Sequence, residues 1–126
     1  MQTLSLYLAV ACGGAIGACI RLFVNQTSIN LLGKGFPFGT LAVNVLGSFC
    51  IGLLYAWFEQ QDAVNPLLKA FLTVGMLGAL TTFSAFSLDT VLLVQSGNVI
   101  KAFGNIILNL SLCLASVWLA LILAKG

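Results

Sequence analysis

The sequence contains no histidine and very few charged side chains. Only 6% of its 126 residues are charged, with five Lys or Arg and three Asp or Glu. The absence of histidine removes the usual proton shuttle and the commonest metal ligand. A net charge of +2 with scattered basic residues argues against nucleic-acid binding. Because soluble domains carry about a quarter charged residues, water is not the main solvent of this chain.

Long apolar runs fill most of the sequence instead. Hydrophobic residues make up 60% of it, and the mean hydropathy is +1.12. Four runs are each long enough for a helical span of about 20 residues, and they cover approximately 4–24, 38–58, 67–94 and 102–124. We therefore predict an all-α membrane protein with a single four-helix transmembrane domain over residues 1–126. Pro37 and Pro66 stand just before the second and third spans, where proline suits a helix start.

The basic residues show almost no preference for one side of the membrane. With four spans both termini lie on one side, together with Lys69 and Lys125, whereas Lys34 and Lys101 lie on the other, with Arg21 deeper in the first span. Cytoplasmic loops normally carry an excess of Lys and Arg. So weak a bias leaves topology to chance or to a partner, or indicates a chain that inserts both ways and pairs antiparallel with itself.

Small residues recur at helical spacing in the first two spans. Gly13, Gly14 and Gly17 lie near one face of the first span, and Gly47 and Gly52 lie in the second. Small residues three or four apart let membrane helices approach closely. We interpret these glycines as packing positions. The four cysteines form no CxxC pair, and we interpret them as small hydrophobic residues.

Several polar side chains stand inside the apolar runs. Arg21 must reach the interface or find a partner, or it places a fixed positive charge at a vestibule. Asn44 either bonds a neighbouring helix or donates to an anion. Asn105 and Asn109 are four residues apart and share a face of the fourth span, and Cys113 continues that face. These side chains serve either helix association or a polar track along the span.

The segment GMLGALTTFSAFS at 75–87 is unusual for the middle of a span. Its glycines lower helix preference and its hydroxyls compete for backbone hydrogen bonds. The pattern predicts either a kink or a break that exposes carbonyls, which is tolerated only where the backbone is buried in protein or lines a wet site. Phe83 and Phe86 project on nearly one face, either for packing or to offer their positive ring edges to an anion.

These motifs together resemble the Fluc, or CrcB-like, family of bacterial fluoride channels. The matching segments are GGAIGACIR at 13–21, GTLAVNVLGSF at 39–49, GMLGALTTFSAFS at 75–87 and LLVQSGN at 92–98. The resemblance covers essentially the whole chain in length, span count and motif order. It implies a bacterial inner-membrane protein that forms an antiparallel, dual-topology homodimer with a break in the third helix. It also implies passive fluoride export through two pathways along the dimer interface, rather than an enzyme.

The resemblance also implies roles for individual residues. A central structural sodium ion would sit at the dimer axis, held by the backbone carbonyls of Gly78 and Thr81. Cys113 would be a weakly polar member of the fourth-span track. The implied fluoride pathway consists of the aromatic box Phe83 and Phe86, the amide ligand Asn44, the hydroxyl of Ser84, the vestibule cation Arg21, and Asn105 and Asn109 on the polar track.

One position departs from the family pattern, and other functions remain open. Ala85 stands where the family commonly has threonine, which puts the ordinary transport rate and number of ion sites in question. The alternative function is a small dual-topology proton-coupled multidrug transporter. Such a carrier needs a membrane-embedded carboxylate, usually early in the chain, whereas Asp89 lies near the end of the third span. A hydrolase using Ser84 or Ser87 lacks a base, and only the motifs argue against a structural adaptor.

Overall fold

The protein is a bundle of helices, described by a computed structural model that covers residues 2–125; the two ends of the predicted domain, Met1 and Gly126, lie outside the described residues. Within residues 2–125, four helical stretches are long and apolar enough to cross a membrane. The prediction of an all-α protein with four such helices is therefore confirmed. The elements are α1 (Gln2–Leu32), α2 (Phe38–Glu59), α3 (Pro66–Ala70), a π-helical segment (Phe71–Leu77), α4 (Gly78–Leu80), α5 (Phe83–Gln95) and α6 (Val99–Lys125).

The first helix is longer than the sequence predicted. The apolar run at 4–24 predicts a helix that ends near residue 24, but α1 continues to Leu32. No proline or glycine interrupts residues 25–32, so polarity alone does not stop the helix. The residue after the helix is Gly33, whose φ of 80° is a left-handed conformation that suits glycine at this position. Arg21 consequently lies well inside α1 and not near its end.

The third span is assembled from several pieces between Pro66 and Gln95. Asn65 caps its start, because its side chain accepts a hydrogen bond from the Leu67 amide. Helical backbone then runs to Leu80, and the next two residues are extended, with ψ of 155° at Thr81 and 120° at Thr82. We call these two residues the Thr81–Thr82 link. The Thr82 hydroxyl accepts from the Ala85 amide at 3.1 Å and so caps α5.

The first helix packs backbone against backbone on the π segment. A Cβ added at Gly13 would collide with the Phe71 carbonyl oxygen, and one at Gly17 would collide with the Met76 carbonyl oxygen. A Cβ at Gly75 would lie 2.8 Å from the Val10 carbonyl oxygen. Such close approach is available only to glycine. The packing interpretation of Gly13 and Gly17 is therefore confirmed.

The second helix lies against α6 on one side and the third span on the other. A Cβ at Gly52 would come within 2.8 Å of the Ala120 Cβ, and one at Gly47 would collide with the Thr81 side chain. The packing interpretation of these two glycines is thus also confirmed. Val43, Leu77 and Leu80 form a buried apolar core between α2 and the third span. Most other large apolar side chains face outward, as expected for helices whose surroundings are lipid or a partner chain.

Candidate functional site

The Thr81–Thr82 link is held by the side chain of Asn44 on α2. The Asn44 Oδ1 accepts from the Thr82 amide at 2.8 Å, and the Asn44 Nδ2 donates to the Thr82 carbonyl oxygen at 3.1 Å. The amide thereby bonds both backbone polar groups of one extended residue, as a neighbouring strand would. Because unpaired backbone groups are expensive in an apolar environment, this pairing stabilises a non-helical residue inside the third span.

A chain of amide hydrogen bonds continues from Asn44 into α6. The second Asn44 N–H donates to the Asn109 Oδ1 at 3.0 Å, and the Asn109 Nδ2 donates to the Asn105 Oδ1 at 2.9 Å. Asn105 in turn donates to the Thr90 hydroxyl at 2.9 Å, and that hydroxyl donates to the Phe86 carbonyl oxygen at 2.8 Å. Asn105 and Asn109 do share a face, and both are buried. The chain links α2, α5 and α6 through satisfied polar groups.

The link also changes the partners of nearby carbonyl groups. In a continuous helix the Gly78 carbonyl would accept from the Thr82 amide, and the Thr81 carbonyl from the Ala85 amide. Those two amides donate instead to the side chains of Asn44 and Thr82. The Ala79 carbonyl would pair with the Phe83 amide in the same way, but it accepts from the Arg21 Nε at 3.0 Å. Carbonyl oxygens that have lost their usual helical amide partners are suited to cations.

The two phenylalanines that follow the link form a pair with unequal burial. Their ring centroids lie 5.2 Å apart with the planes tilted by 56°. The Phe86 side chain is only 8% exposed, whereas Phe83 is 73% exposed. An exposed ring on a membrane helix can meet lipid or a partner chain, and its edge carries positive partial charge.

An open cavity of about 430 Å³ brings most of the predicted site residues together. It lies beside the link, where α2, the third span and α6 meet. Ser84 lies next to it, with its hydroxyl 3.3 Å from the Thr82 hydroxyl. Asn105 lies behind Asn109, while Arg21 is on the α1 side of the link and is not part of the cavity wall. The predicted residues that line the cavity are Asn44, Gly78, Thr81, Phe83, Phe86, Asn109 and Cys113.

A second cavity, of about 590 Å³, has a different lining. It contains Lys34 and Lys101, and also Asp89, whose Oδ2 accepts from the Thr40 hydroxyl at 2.9 Å. Ala85 lines this second cavity and not the first. Ala85, the position where the family commonly has threonine, thus lines a different cavity from Phe83 and Phe86.

Two hydroxyl residues of the site were not among the residues predicted to bind fluoride or sodium. Thr82 supplies the backbone groups that Asn44 binds and also the cap of α5, and Thr90 connects Asn105 to the Phe86 carbonyl. A threonine three residues before Ala85, at the start of an apolar run, is a recognisable capping signal. The partnership of Thr90 with Asn105 has no such local signal, because it depends on how α5 meets α6.

The first cavity therefore combines two kinds of chemistry. Amide N–H groups and ring edges at its wall can replace part of the hydration shell of a small anion. Carbonyl groups whose usual partners are bonded elsewhere can serve a hard cation. No cluster of three or more Cys, Asp or Glu side chains suited to a metal occurs within residues 2–125. Any cation at this place would accordingly depend mainly on neutral oxygen atoms, those of backbone carbonyls, amide side chains and hydroxyls.

Known proteins match this chain over nearly its whole length. The family described as CrcB-like protein, Camphor Resistance (CrcB), matches residues 8–121. A relative from Pseudoalteromonas translucida, named fluoride-specific ion channel FluC, is 50% identical over 93% of this chain and 99% of its own length. Relatives of the same name from Aeromonas salmonicida and Alteromonas mediterranea are 53% and 48% identical over 96% and 99% of this chain. The match includes most of each of the four spanning stretches described above, and this chain belongs to the CrcB-like family.

Proposed function

We propose that this protein is a fluoride-selective channel that allows passive fluoride export across the bacterial inner membrane. The observation that carries the proposal is the cavity beside the Thr81–Thr82 link, where Asn44, Asn109 and the phenylalanine pair meet. Relatives that match nearly the whole chain carry the name fluoride-specific ion channel. The cavity offers uncharged amide groups and aromatic ring edges to an anion at the place where the third span stops being helical.

Uncharged hydrogen-bond donors that bind the ion weakly suit fluoride conduction. Fluoride is small and strongly hydrated, so its pathway must offer hydrogen-bond donors, yet must release the ion. Both N–H groups of Asn44 have acceptors in the protein. Fluoride would therefore replace the Asn109 Oδ1 as an acceptor for Asn44, while the bond to the Thr82 carbonyl stays in place. This exchange of one acceptor for another keeps the net cost of binding and release small.

The other predicted pathway residues lie near the proposed fluoride position at Asn44. The ring edges of Phe83 and Phe86 would contact the partly dehydrated ion, and the Ser84 hydroxyl would offer a further donor. Asn109 would receive the ion next, by exchanging one of the two Asn105 oxygens to which its Nδ2 donates. We propose that the Thr81–Thr82 link is the functional break of the third span, since it turns from one helix to the next at the cavity.

We propose an antiparallel, dual-topology homodimer with two such pathways. The scattered Lys and Arg residues do not favour one orientation. The high exposure of Phe83 and the open side of the cavity leave room for a second copy to complete the wall. A homodimer with two-fold symmetry would bring two identical cavities to one interface.

A structural sodium ion fits the backbone groups beside the link. The amides that would normally bond the Gly78 and Thr81 carbonyls donate to side chains instead. Both residues line the open cavity, so a second copy could add its own pair of carbonyls. Sodium would supply positive potential near the anion pathway and a shared bond between the subunits. Gly78 and Thr81 are the residues of this chain that we propose to hold it.

Fluoride efflux from liposomes tests the proposed function. Purified protein should release fluoride from loaded vesicles and leave chloride behind in a parallel sample. A structural adaptor would release neither ion, and efflux of chloride at a similar rate would refute selectivity. The proton-coupled alternative is separated by Asp89→Asn: continued fluoride efflux supports the channel, whereas abolished transport supports a carrier that depends on this carboxylate.

A further inference from the structure

Arg21 bonds the last helical turn before the Thr81–Thr82 link. Its Nε donates to the Ala79 carbonyl oxygen at 3.0 Å, across 58 positions of sequence. Ala79 lies in α4, which ends at Leu80. In an uninterrupted helix the Ala79 carbonyl would accept from the Phe83 amide, but the extended link places Phe83 at the start of α5. Arg21 thus provides a donor for a carbonyl that the link separates from its usual partner.

A guanidinium is well suited to this position. The carbonyl end of a helical run carries partial negative charge and favours a cation. A charged donor forms a stronger hydrogen bond than a neutral one, and an unpaired carbonyl inside an apolar bundle is costly. The contact therefore stabilises the end of the helical run that starts at Pro66, independently of any ion in the cavity.

The link is held from two sides by two different helices. Arg21 of α1 bonds Ala79 just before it, and Asn44 of α2 bonds Thr82 within it. Between these two anchors lie only Leu80 and Thr81. Fixing both ends of so short a stretch restricts the positions of the carbonyls around it.

We propose that Arg21 is a positioning residue whose Nε–H anchors the Ala79 carbonyl and so sets the geometry of the link for ion passage. This differs from the vestibule charge that the family resemblance implies, and Arg21 is absent from the walls of both described cavities. The inference rests on the proposed channel function for its transport readout. Its hydrogen bond can be tested without any transport.

Three substitutions separate the donor from the charge. Arg21→Gln places an amide nitrogen at the same number of bonds from Cα as Nε, without positive charge. Arg21→Lys keeps the charge but puts a methylene at that position and the ammonium one bond further out. Arg21→Met is a similar length with neither donor nor charge. If Arg21→Met does not fold, the Gln and Lys variants still give opposite predictions.

The Ala79 carbonyl can be observed directly by NMR. Labelling alanine with ¹³C at the carbonyl and leucine with ¹⁵N selects Ala–Leu peptide bonds, and the sequence contains two, Ala79–Leu80 and Ala120–Leu121. Ala120 lies in α6, so its signal is an internal control. We expect Arg21→Met to shift the Ala79 carbonyl signal in the direction of a lost hydrogen bond and to leave Ala120 unchanged. Arg21→Gln should keep the Ala79 signal close to that of the unmodified protein.

Fluoride efflux then shows whether this bond matters for transport. We expect Arg21→Gln to exceed Arg21→Met by about fivefold, the factor that one hydrogen bond gives a local equilibrium, and Arg21→Lys not to exceed Arg21→Gln. Efflux that follows charge, with Lys high and Gln as low as Met, would overturn the proposal in favour of a vestibule cation. An Ala79 signal unmoved by Arg21→Met would overturn the anchoring contact. Absence of fluoride efflux from the unmodified protein would refute the proposed function instead.

Discussion

The two sides of the third span are built in contrasting ways. On the α1 side, backbone meets backbone, and a Cβ at Gly75 would lie 2.8 Å from the Val10 carbonyl oxygen. On the cavity side, three residues later, a Cβ at Gly78 would have ordinary contact at 3.6 Å with the Thr73 carbonyl oxygen. One side is filled by the chain itself, and the other is open beside polar groups. Glycines in a single motif therefore serve different purposes.

This difference separates stability from function within one helix. The α1 side buries the small residues that fix the position of the π segment, so changes there should affect folding. The cavity side contains Asn44, the link and the exposed ring of Phe83, so changes there should affect transport more than folding. The following predictions test that division, from the largest expected effect to the smallest.

Replacement of Asn44 should have the largest effect on transport. Asn44→Ala leaves the Thr82 amide and carbonyl unpaired, at about 1–3 kcal/mol for each group, so we expect fluoride efflux to fall about 100-fold. Asn44→Asp should also block passage, because a fixed negative charge repels the anion. Efflux assays with Asn30→Ala, which changes an exposed amide of α1, provide the control. Equal efflux from the Asn44 and Asn30 variants would contradict the role of Asn44.

The same substitution at two glycines should separate the two sides of the span. Gly75→Ala forces a methyl group against α1 and should lower the free energy of unfolding by about 1–3 kcal/mol. There is room for the methyl group of Gly78→Ala. This substitution should change the free energy of unfolding by less than about 1 kcal/mol, and it should stabilise the protein because alanine favours helices more than glycine does. Thermal unfolding in detergent compares the two variants. Equal destabilisation would show that the cavity side is as tightly filled as the α1 side.

Substitutions at the two phenylalanines should have different effects on the free energy of unfolding but similar effects on fluoride efflux. Phe86→Ile alters a ring that is 8% exposed and should cost up to about 1.5 kcal/mol of unfolding free energy, whereas Phe83→Ile, at 73% exposure, should cost little. If both ring edges meet the ion, each substitution lowers fluoride efflux about fivefold without loss of the proposed dimer. Unfolding and efflux are measured on the same preparations. Full efflux from both variants would remove the rings from the pathway.

Introducing threonine at Ala85 should have the smallest effect. Ala85 lines the second cavity and not the one that contains Asn44 and the phenylalanines. We expect Ala85→Thr to change fluoride efflux by no more than about twofold, the usual scale for substitutions away from critical contacts. Efflux of the variant and the unmodified protein is compared at equal protein density. A tenfold or greater change would place this position in the conducting pathway.

Much of the fold could be predicted because its signals are local. Apolar runs of membrane length marked four spanning helices, and the small-residue spacing marked the glycines that pack. The end of α1 is not where the first apolar run ends, since Asn25 and the polar residues after it continue the helix and nothing in their chemistry stops it before Gly33. Polarity indicates where water is available and does not by itself end helical backbone.

The candidate site could be predicted only in part. Residue types singled out Asn44, the phenylalanines and the amides of α6, and the fold brings these into one cavity or beside it. The sequence left open whether Arg21 reaches water or a partner, because the answer depends on where α1 crosses the third span. Pairs such as Arg21 with Ala79 and Asn44 with Thr82 are 58 and 38 positions apart and have no periodicity that would reveal them.

By itself the sequence determined that this chain avoids water, forms helices of membrane length and carries amides and hydroxyls where hydrocarbon is expected. Those properties follow from composition and spacing, which act within a helical turn or two. Only the tertiary structure decided which carbonyls and amides lose their helical partners and which side chains replace them. That choice depends on how separate helices meet, since a hydrogen bond requires its donor and acceptor within about 3 Å, whatever their distance along the chain.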